Sequence, residues 1–385
     1  MTPTDVSVIP LAGWRLPETA ALRRDFTRPP ERQSDYYLQA YDARTVIYDV
    51  VYLPRPGGYL FTAPRFLNLW RPFRDGLRRD GMPVRGLRRV TWLRCEQVFL
   101  PGPEGALTLE IAGQTAVLTP RAGLMDRFRG LDALVAVSKN NHLDWICNWA
   151  RFHARDHGTR ALALFDNGST DYTLDDLATA IREGSGLERA VIYSAPYPYG
   201  PADKSGRFDV SPRFFQSAML NLARRDVLDP CRSVLSIDID ELVTGPGGAS
   251  VHDRAARHPL GMVTIGGSWV FPHAETDGPA PQSAHLWRAD PDRKCNRKWC
   301  MTPRGAMSRV FGWSVHQIGG ILQNLFTMQG AFRLIHCRAC STGWKKNRFR
   351  FPDRMVKDPA LAALMTRHFG AGATPSPATA DQTEA

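Results

Sequence analysis

The chain has 385 residues, 43% of them hydrophobic, with 49 Lys and Arg against 38 Asp and Glu for a net charge of +11. That apolar share supports a full core and excludes a disordered or fibrous polypeptide, and no window reaches the roughly 18 apolar residues needed to span a bilayer. The basic surplus, crowded into 65–94 and 338–354, suits a solvated face or anionic partners such as nucleoside diphosphates, acidic glycans and anionic lipid. Nucleic acid is disfavoured, because no helix-turn-helix, zinc-finger or RNA-binding signature accompanies the charge. The first residues lack the basic start and long apolar run of a signal peptide, and an odd seven cysteines read as reduced thiols. The expected location is cytoplasmic, with peripheral contact to an anionic membrane allowed by the basic clusters.

In chain order, the first ~130 residues carry short strand-like runs: 45–52, 59–62, 90–94, 97–100, 107–111 and 115–118. Pro- and Gly-rich turns separate them. This predicts an N-terminal β-rich domain over 1–130, either acceptor-binding or supporting.

From Leu134 the pattern changes to strand, helix, strand, helix. Residues 134–137 form a short apolar strand followed by the polar turn Lys139-Asn140-Asn141. Leu143, Trp145, Ile146, Trp149 and Phe152 recur at helical spacing, and Gly158 supplies the helix stop. Residues 161–165 form the next strand, ending in Asp166-Asn167-Gly168-Ser169-Thr170-Asp171. Such alternation implies a doubly wound parallel sheet whose ligands bind beyond the carboxyl ends of the strands.

Residues 235–242 read LSIDIDEL, an apolar strand ending in Asp238, Asp240 and Glu241. On a strand, Asp238 and Asp240 would share a face about 7 Å apart and could hold one hard divalent cation. A solvated strand end is the plain alternative, and Glu241 is open between orienting its neighbours, binding substrate and facing solvent. Residues 263–271 (VTIGGSWVF) read as a strand pair or bent strand carrying Trp269, which is either core or a surface on which a sugar stacks. A polar loop with His273, Glu275 and Asp277 follows.

Together these segments resemble the nucleotide-sugar glycosyltransferases of the GT-A fold, in particular the family 2-like and family 92-like groups. The matching text is Lys139-Asn140-Asn141, Leu143-Asp144-Trp145-Ile146, Asp166 through Asp171, and Asp238-Ile239-Asp240-Glu241. Later, Lys298, Pro303 and His316, and then His336, Ser341 and Lys345, follow the family order. The resemblance covers 134–350 and implies a GT-A-like α/β domain with a doubly wound mixed sheet. It implies hexosyl transfer from a nucleoside diphosphate sugar to a hydroxyl of a glycan or glycoconjugate, as in polysaccharide biosynthesis, with Mn2+ or Mg2+ and inversion at the sugar. By the same resemblance Lys139, Asn140, Asp166, Asn167, Asp171, Asp238, Lys298 and Lys345 bind the donor. Asp238, Asp240, His336 and His316 hold the metal, and Trp269 meets the acceptor. Inversion needs a general base, for which Glu275 and Asp277 are the candidates. One departure is Asn141, which stands where the family has an acid, so any carboxylate role there is lost or moved to Asp144.

Three other readings compete. Cys295, Cys300, Cys337 and Cys340 have spacings that could clamp a structural zinc. Clustered Asp at strand ends also serves metal-dependent phosphohydrolases and nucleases. An inactive glycan-binding relative fits the lost acid at Asn141. Residues 131–350 are expected as the transferase domain, and 351–385 as a C-terminal helix and disordered tail.

Overall fold

The computed structural model describes residues 2–202, 210–274, 276, 278–328, 330–340 and 349–370. Its centre is a seven-stranded sheet in the order Asp5–Pro10, Arg189–Ser194, Ala161–Asp166, Asp132–Ser138, Ser233–Ser236, Lys298–Met301, Met262–Ile265. All strands run parallel except Lys298–Met301, which is antiparallel to both neighbours. Counting the six strands after residue 130 in chain order, the spatial order is 3-2-1-4-6-5. The order therefore reverses between Asp132–Ser138 and Ser233–Ser236, which opens a crevice at their carboxyl ends.

Strand alternation explains why both sheet faces are covered. Leu134, Ala136, Leu162, Leu164, Ala190 and Ile192 enter one core with Trp145, Ile146 and Trp149 of the Leu143–His157 helix and Leu177 and Ile181 of the Leu174–Gly184 helix. The interleaved Ala133, Val135, Ala163, Phe165, Val191 and Tyr193 enter the other, against Phe215, Ala218, Met219 and Leu222 of the Phe214–Arg225 helix. Side chains with period two on strands, met by helices with period 3.6, give the doubly wound, mixed α/β architecture expected from the sequence. Gly158 ends its helix in the left-handed region at φ 69°.

The N-terminal strands form a five-stranded and a four-stranded sheet that share one core, including Val50, Phe61, Val98, Leu107 and Leu109. The first strand does not stay with them. Asp5–Pro10 pairs in parallel with Arg189–Ser194 and extends the central sheet, because Val6 and Val8 complete the apolar surface there. The helix Asp35–Ala40 precedes the expected run of strands and Trp70–Gly76 interrupts it. A buried network ties the two parts together: Arg121 meets both Asp49 and Asp226 at 2.7 Å, and Tyr193 donates to Asp226 at 3.2 Å.

A second five-stranded sheet lies in the order Glu241–Thr244, Arg333–Cys337, Gly267–Phe271, Trp287–Ala289, Met355–Lys357. It corrects one expectation and bears out another. The LSIDIDEL segment is not one strand: Ser233–Ser236 ends in the central sheet, residues 237–240 cross over, and Glu241 begins a strand of the second sheet. The strand pair expected over 263–271 is present, with Met262–Ile265 in the central sheet and Gly267–Phe271 in the second, on either side of Gly266. At Gly267 a Cβ would sit 1.9 Å from the Leu334 carbonyl oxygen, so the close approach of the two strands requires glycine. Past residue 350 the chain supplies the edge strand Met355–Lys357 before the expected helix, Pro359–Phe369, while the tail expected over 371–385 lies outside the described residues.

Candidate active site

The loops leaving four parallel strands converge on one cleft of 730 Å³. Lys139 and Asn140 follow the Asp132–Ser138 strand, Asn167 follows Ala161–Asp166, Tyr197 and Tyr199 follow Arg189–Ser194, and Asp238 follows Ser233–Ser236. The opposite wall brings Tyr36 and Gln39 from the N-terminal part, Arg94, Arg213, Gln216 and His316. Thus five residues singled out in the sequence, Lys139, Asn140, Asn167, Asp238 and His316, line a common space.

Two loops of the cleft floor are locked by their own polar groups. Asn140 donates its backbone N–H to Ser169 Oγ at 2.9 Å, and its Oδ1 accepts from the Thr170 N–H at 2.7 Å. Its φ of 52° is one that Asn tolerates. Asn167 Nδ2 donates to the carbonyls of Ala195 and Tyr197, both at 2.8 Å. Asp166 is buried and turned inward: its carboxylate accepts from the N–H groups of Gly168 and Ser169 at 3.1 and 3.0 Å and from Ser169 Oγ at 2.5 Å. Its work in this structure is to shape the turn that presents Asn167. Asp171 is exposed, accepts from Thr170 Oγ1 at 3.2 Å and does not line the cleft.

Behind Asp238 stands a buried chain of charges. Lys298 Nζ lies 2.6 Å from Asp238 Oδ2 and 3.0 Å from Glu241 Oε2. Glu241 also accepts from the Asp238 N–H at 2.8 Å, and its Oε1 is 3.3 Å from His336 Nδ1. The other imidazole nitrogen of His336 is 3.3 Å from Asp240 Oδ2. Strand register assembles this group, since Glu241 is opposite His336, and His336 is opposite Trp269. The Trp269 and His336 rings stack at 3.6 Å, and the Arg338 guanidinium lies 5.0 Å from the Trp269 ring centre.

The electrostatics follow from burial. Burial raises the Asp238 carboxyl, but Lys298 outweighs it and holds the group below its ordinary range. Burial pushes Glu241 up despite Lys298. Burial lowers Lys298, and the two carboxylates more than reverse that, keeping it charged. His316 is pushed down to about 4 by burial and by Lys298, so its ring is neutral and its Nδ1 faces the Arg297 carbonyl at 3.0 Å. Burial and the like charge of Arg213 lower Arg94. The crossover gathers three carboxyl groups around one ammonium, while Lys139, Arg94 and Arg213 bring basic side chains to the cleft itself.

Asp240 and His336 are buried and converge without lining the cleft, whereas Asp238, which does line it, has one oxygen on Lys298. Among the described residues no three of His, Cys, Asp and Glu stand together as a metal cage. Asp240 offers an oxygen donor of the kind that suits Mg2+ or Mn2+, while the His336 imidazole is a nitrogen donor outside the oxygen set that Mg2+ prefers. The zinc reading gains nothing here, for among the described residues Cys295, Cys300, Cys337 and Cys340 take part in no group of three or more metal-ligating side chains. Trp269 is half-buried beside His336. The catalytic candidates Glu275 and Asp277, and Ser341 and Lys345, lie outside the described residues. Asp144 is exposed in the first turn of its helix and is not in the cleft.

Sequence reasoning missed Arg94, Arg213, Gln216, Tyr36 and the tyrosines at 197 and 199. Arg94 stood in the noted Arg-rich segment; the rest carry no local signal, because they reach the cleft from separate elements.

No protein-family model matches the chain, and no curated protein matches it by sequence. Among solved structures it is similar to the galactosyltransferase LgtC in complex with donor and acceptor sugar analogs, at 17% identity and a TM-score of 0.26. That match covers 46% of this chain and 59% of the other, so the chain spans under two thirds of its length. A structure of an active-site mutant of LgtC matches at 18% identity and a TM-score of 0.28, covering 53% and 72%. Neither singles out the family 2-like or family 92-like groups. A likeness of this extent leaves the chain's activity to be argued from its own residues.

Proposed function

We propose that the chain is a glycosyltransferase, moving a sugar from a nucleoside diphosphate donor to a hydroxyl acceptor in the cleft at the carboxyl ends of the parallel strands. The observation that carries this reading is the pairing of a basic cleft, with Lys139, Arg94 and Arg213, with an acidic crossover, with Asp238, Asp240 and Glu241, at the topological switch point. A diphosphate needs cations around its oxygens, and the switch point is where an open α/β sheet receives a nucleotide. Asn140, Asn167 and the Tyr197 and Tyr199 rings supply amide and aromatic surface for the nucleoside.

In this reading Asp240 and His336 hold Mn2+ or Mg2+, an imidazole beside a carboxylate favouring Mn2+. The ion would act as a Lewis acid on the diphosphate leaving group. Lys298 fixes Asp238 through its 2.6 Å contact and leaves the second oxygen of Asp238, 3.4 Å from Gln216 Nε2, for the donor. Trp269 provides the aromatic face for the acceptor. For an inverting course the base comes from the loop after Phe271, through Glu275 or Asp277, with the acceptor proton passing to that carboxylate as the hydroxyl oxygen attacks. A panel of nucleotide sugars with Mn2+, assayed for release of nucleoside diphosphate and for sugar transfer, tests the proposal. Release from at least one donor supports it; phosphomonoester cleavage with no donor turned over favours the hydrolase.

A further inference from the structure

One surface is neither part of the cleft nor explained by packing. The short helix Ile321–Phe326 leaves Ile321 69%, Leu325 66% and Phe326 57% exposed, and Met328 just beyond it is also exposed. Val310 and Leu93, both exposed, line a neighbouring groove of 320 Å³ that reaches Gly319 and Gly320 at the start of this helix. Large apolar side chains clustered in this way mark an interaction surface rather than the scattered exposure of an ordinary one.

Its surroundings are basic. From 293 to 340 the sequence holds eight Lys and Arg, one of them the buried Lys298, and no Asp or Glu. Lys294 and Arg297 line one depression with Met328, Arg297 bonds Asn324 on the helix itself, and the exposed Arg309 precedes Val310. Lys294 is shared at 2.8 Å with Asp292, which directly precedes this stretch. The patch also borders the cleft, since His316 lines both the cleft and the Met328 depression, and Arg94 lines both the cleft and the Leu93 groove.

We propose that this face docks on an anionic lipid surface, with Ile321, Leu325, Phe326 and Met328 seated among the headgroups and the surrounding Lys and Arg meeting lipid phosphates. Apolar insertion combined with basic attraction is how interfacial helices bind membranes. A second copy fits less well, because a two-fold pair would press two like-charged basic faces together. Nucleic acid would use the charge and leave the apolar side chains unexplained. Docked in this way, the cleft mouth opens beside the bilayer, where a lipid-linked hydroxyl acceptor could reach it. That last step rests on the proposed transferase activity; the docking does not.

The test is vesicle co-sedimentation of the full chain without substrate, using phosphatidylcholine alone and phosphatidylcholine with about 30% phosphatidylglycerol. The wild type should pellet with the anionic vesicles and remain in solution with the neutral ones. The triple variant Ile321→Ser/Leu325→Ser/Phe326→Ser should bind the anionic vesicles at least about tenfold more weakly with an unchanged melting temperature, since these side chains are exposed. The pair Arg309→Gln and Lys294→Gln should weaken binding and flatten its salt dependence. Failure of the wild type to pellet, or equal binding by the triple variant, overturns the proposal. So does a triple variant that binds vesicles normally but changes from dimer to monomer, which would assign the face to self-association. Donor turnover in solution, measured separately, distinguishes failure of docking from failure of the catalytic reading.

Discussion

Replacing Lys298 by Met keeps an unbranched side chain one atom shorter and removes the ammonium that joins Asp238 and Glu241 at 2.6 and 3.0 Å. Lys298 and Glu241 are fully buried, and breaking a buried pair from one side costs about 3–5 kcal/mol. Asp238 is 35% exposed, so water screens its half and the loss belongs at the low end, about 3 kcal/mol. With 385 residues and roughly 2.1 cal/mol/K of unfolding entropy per residue, that is about 4 °C in melting temperature. The pH dependence follows from the shifts. Asp238 is depressed, so its contribution is present above its ordinary value of 3.8 and is lost as pH falls through the lower folded value. Lys298 is raised, so its contribution is present below 10.5 and is lost only above its folded value. The deficit of Lys298→Met should therefore hold from about pH 4 to pH 10. A double-mutant cycle with Glu241→Gln, followed by thermal and urea unfolding, should give a coupling of at least about 1.5 kcal/mol. A loss under about 0.5 kcal/mol, or the same loss in the Glu241→Gln background, would refute the reasoning.

Asp240→Asn, nearly isosteric, should lower transfer at least about a hundredfold while the melting temperature stays within a few degrees of wild type; near-normal turnover at saturating donor sinks the assignment. His336→Ala should lower activity and Mn2+ affinity together, whereas Cys337→Ser and Cys340→Ser should leave both within about twofold. Stoichiometric zinc lost with the fold in the cysteine variants would reverse that assignment. Away from the cleft, burial lowers His153, His157 and His252, so each is buried neutral. The unfolded chain takes up protons below the ordinary value of 6.5 while the folded one does not, so stability should be full above that value and should fall as the pH drops from 7 toward 5. A melting temperature constant over that range would contradict the burial argument.

Local periodicity made the central sheet legible. Residues 134–137 and 161–165 extend by three residues and by one into Asp132–Ser138 and Ala161–Asp166, and the Leu143–His157 helix ends at Gly158 as its φ requires. The Asp238 segment was harder, because an unbroken apolar alternation concealed a crossover between two sheets. The buried pairing of Glu241 with Lys298, 57 residues away, has no local trace at all. The pairing of residues 5–10 with 189–194 likewise spans too much sequence to leave a local signal. Arg94, Arg213 and Tyr36 reach the cleft from three elements that sequence spacing cannot relate.

The most direct test of the central claim is thermal unfolding with nucleoside diphosphates, with and without Mn2+ or Mg2+. Binding linkage gives about 2.7 kcal/mol at a hundredfold excess over Kd. We expect a rise of roughly 3–4 °C chiefly when the divalent ion is present, and its loss in Asp240→Asn. Nucleotides without effect while single-stranded or duplex nucleic acid stabilises the chain at physiological salt would contradict the account.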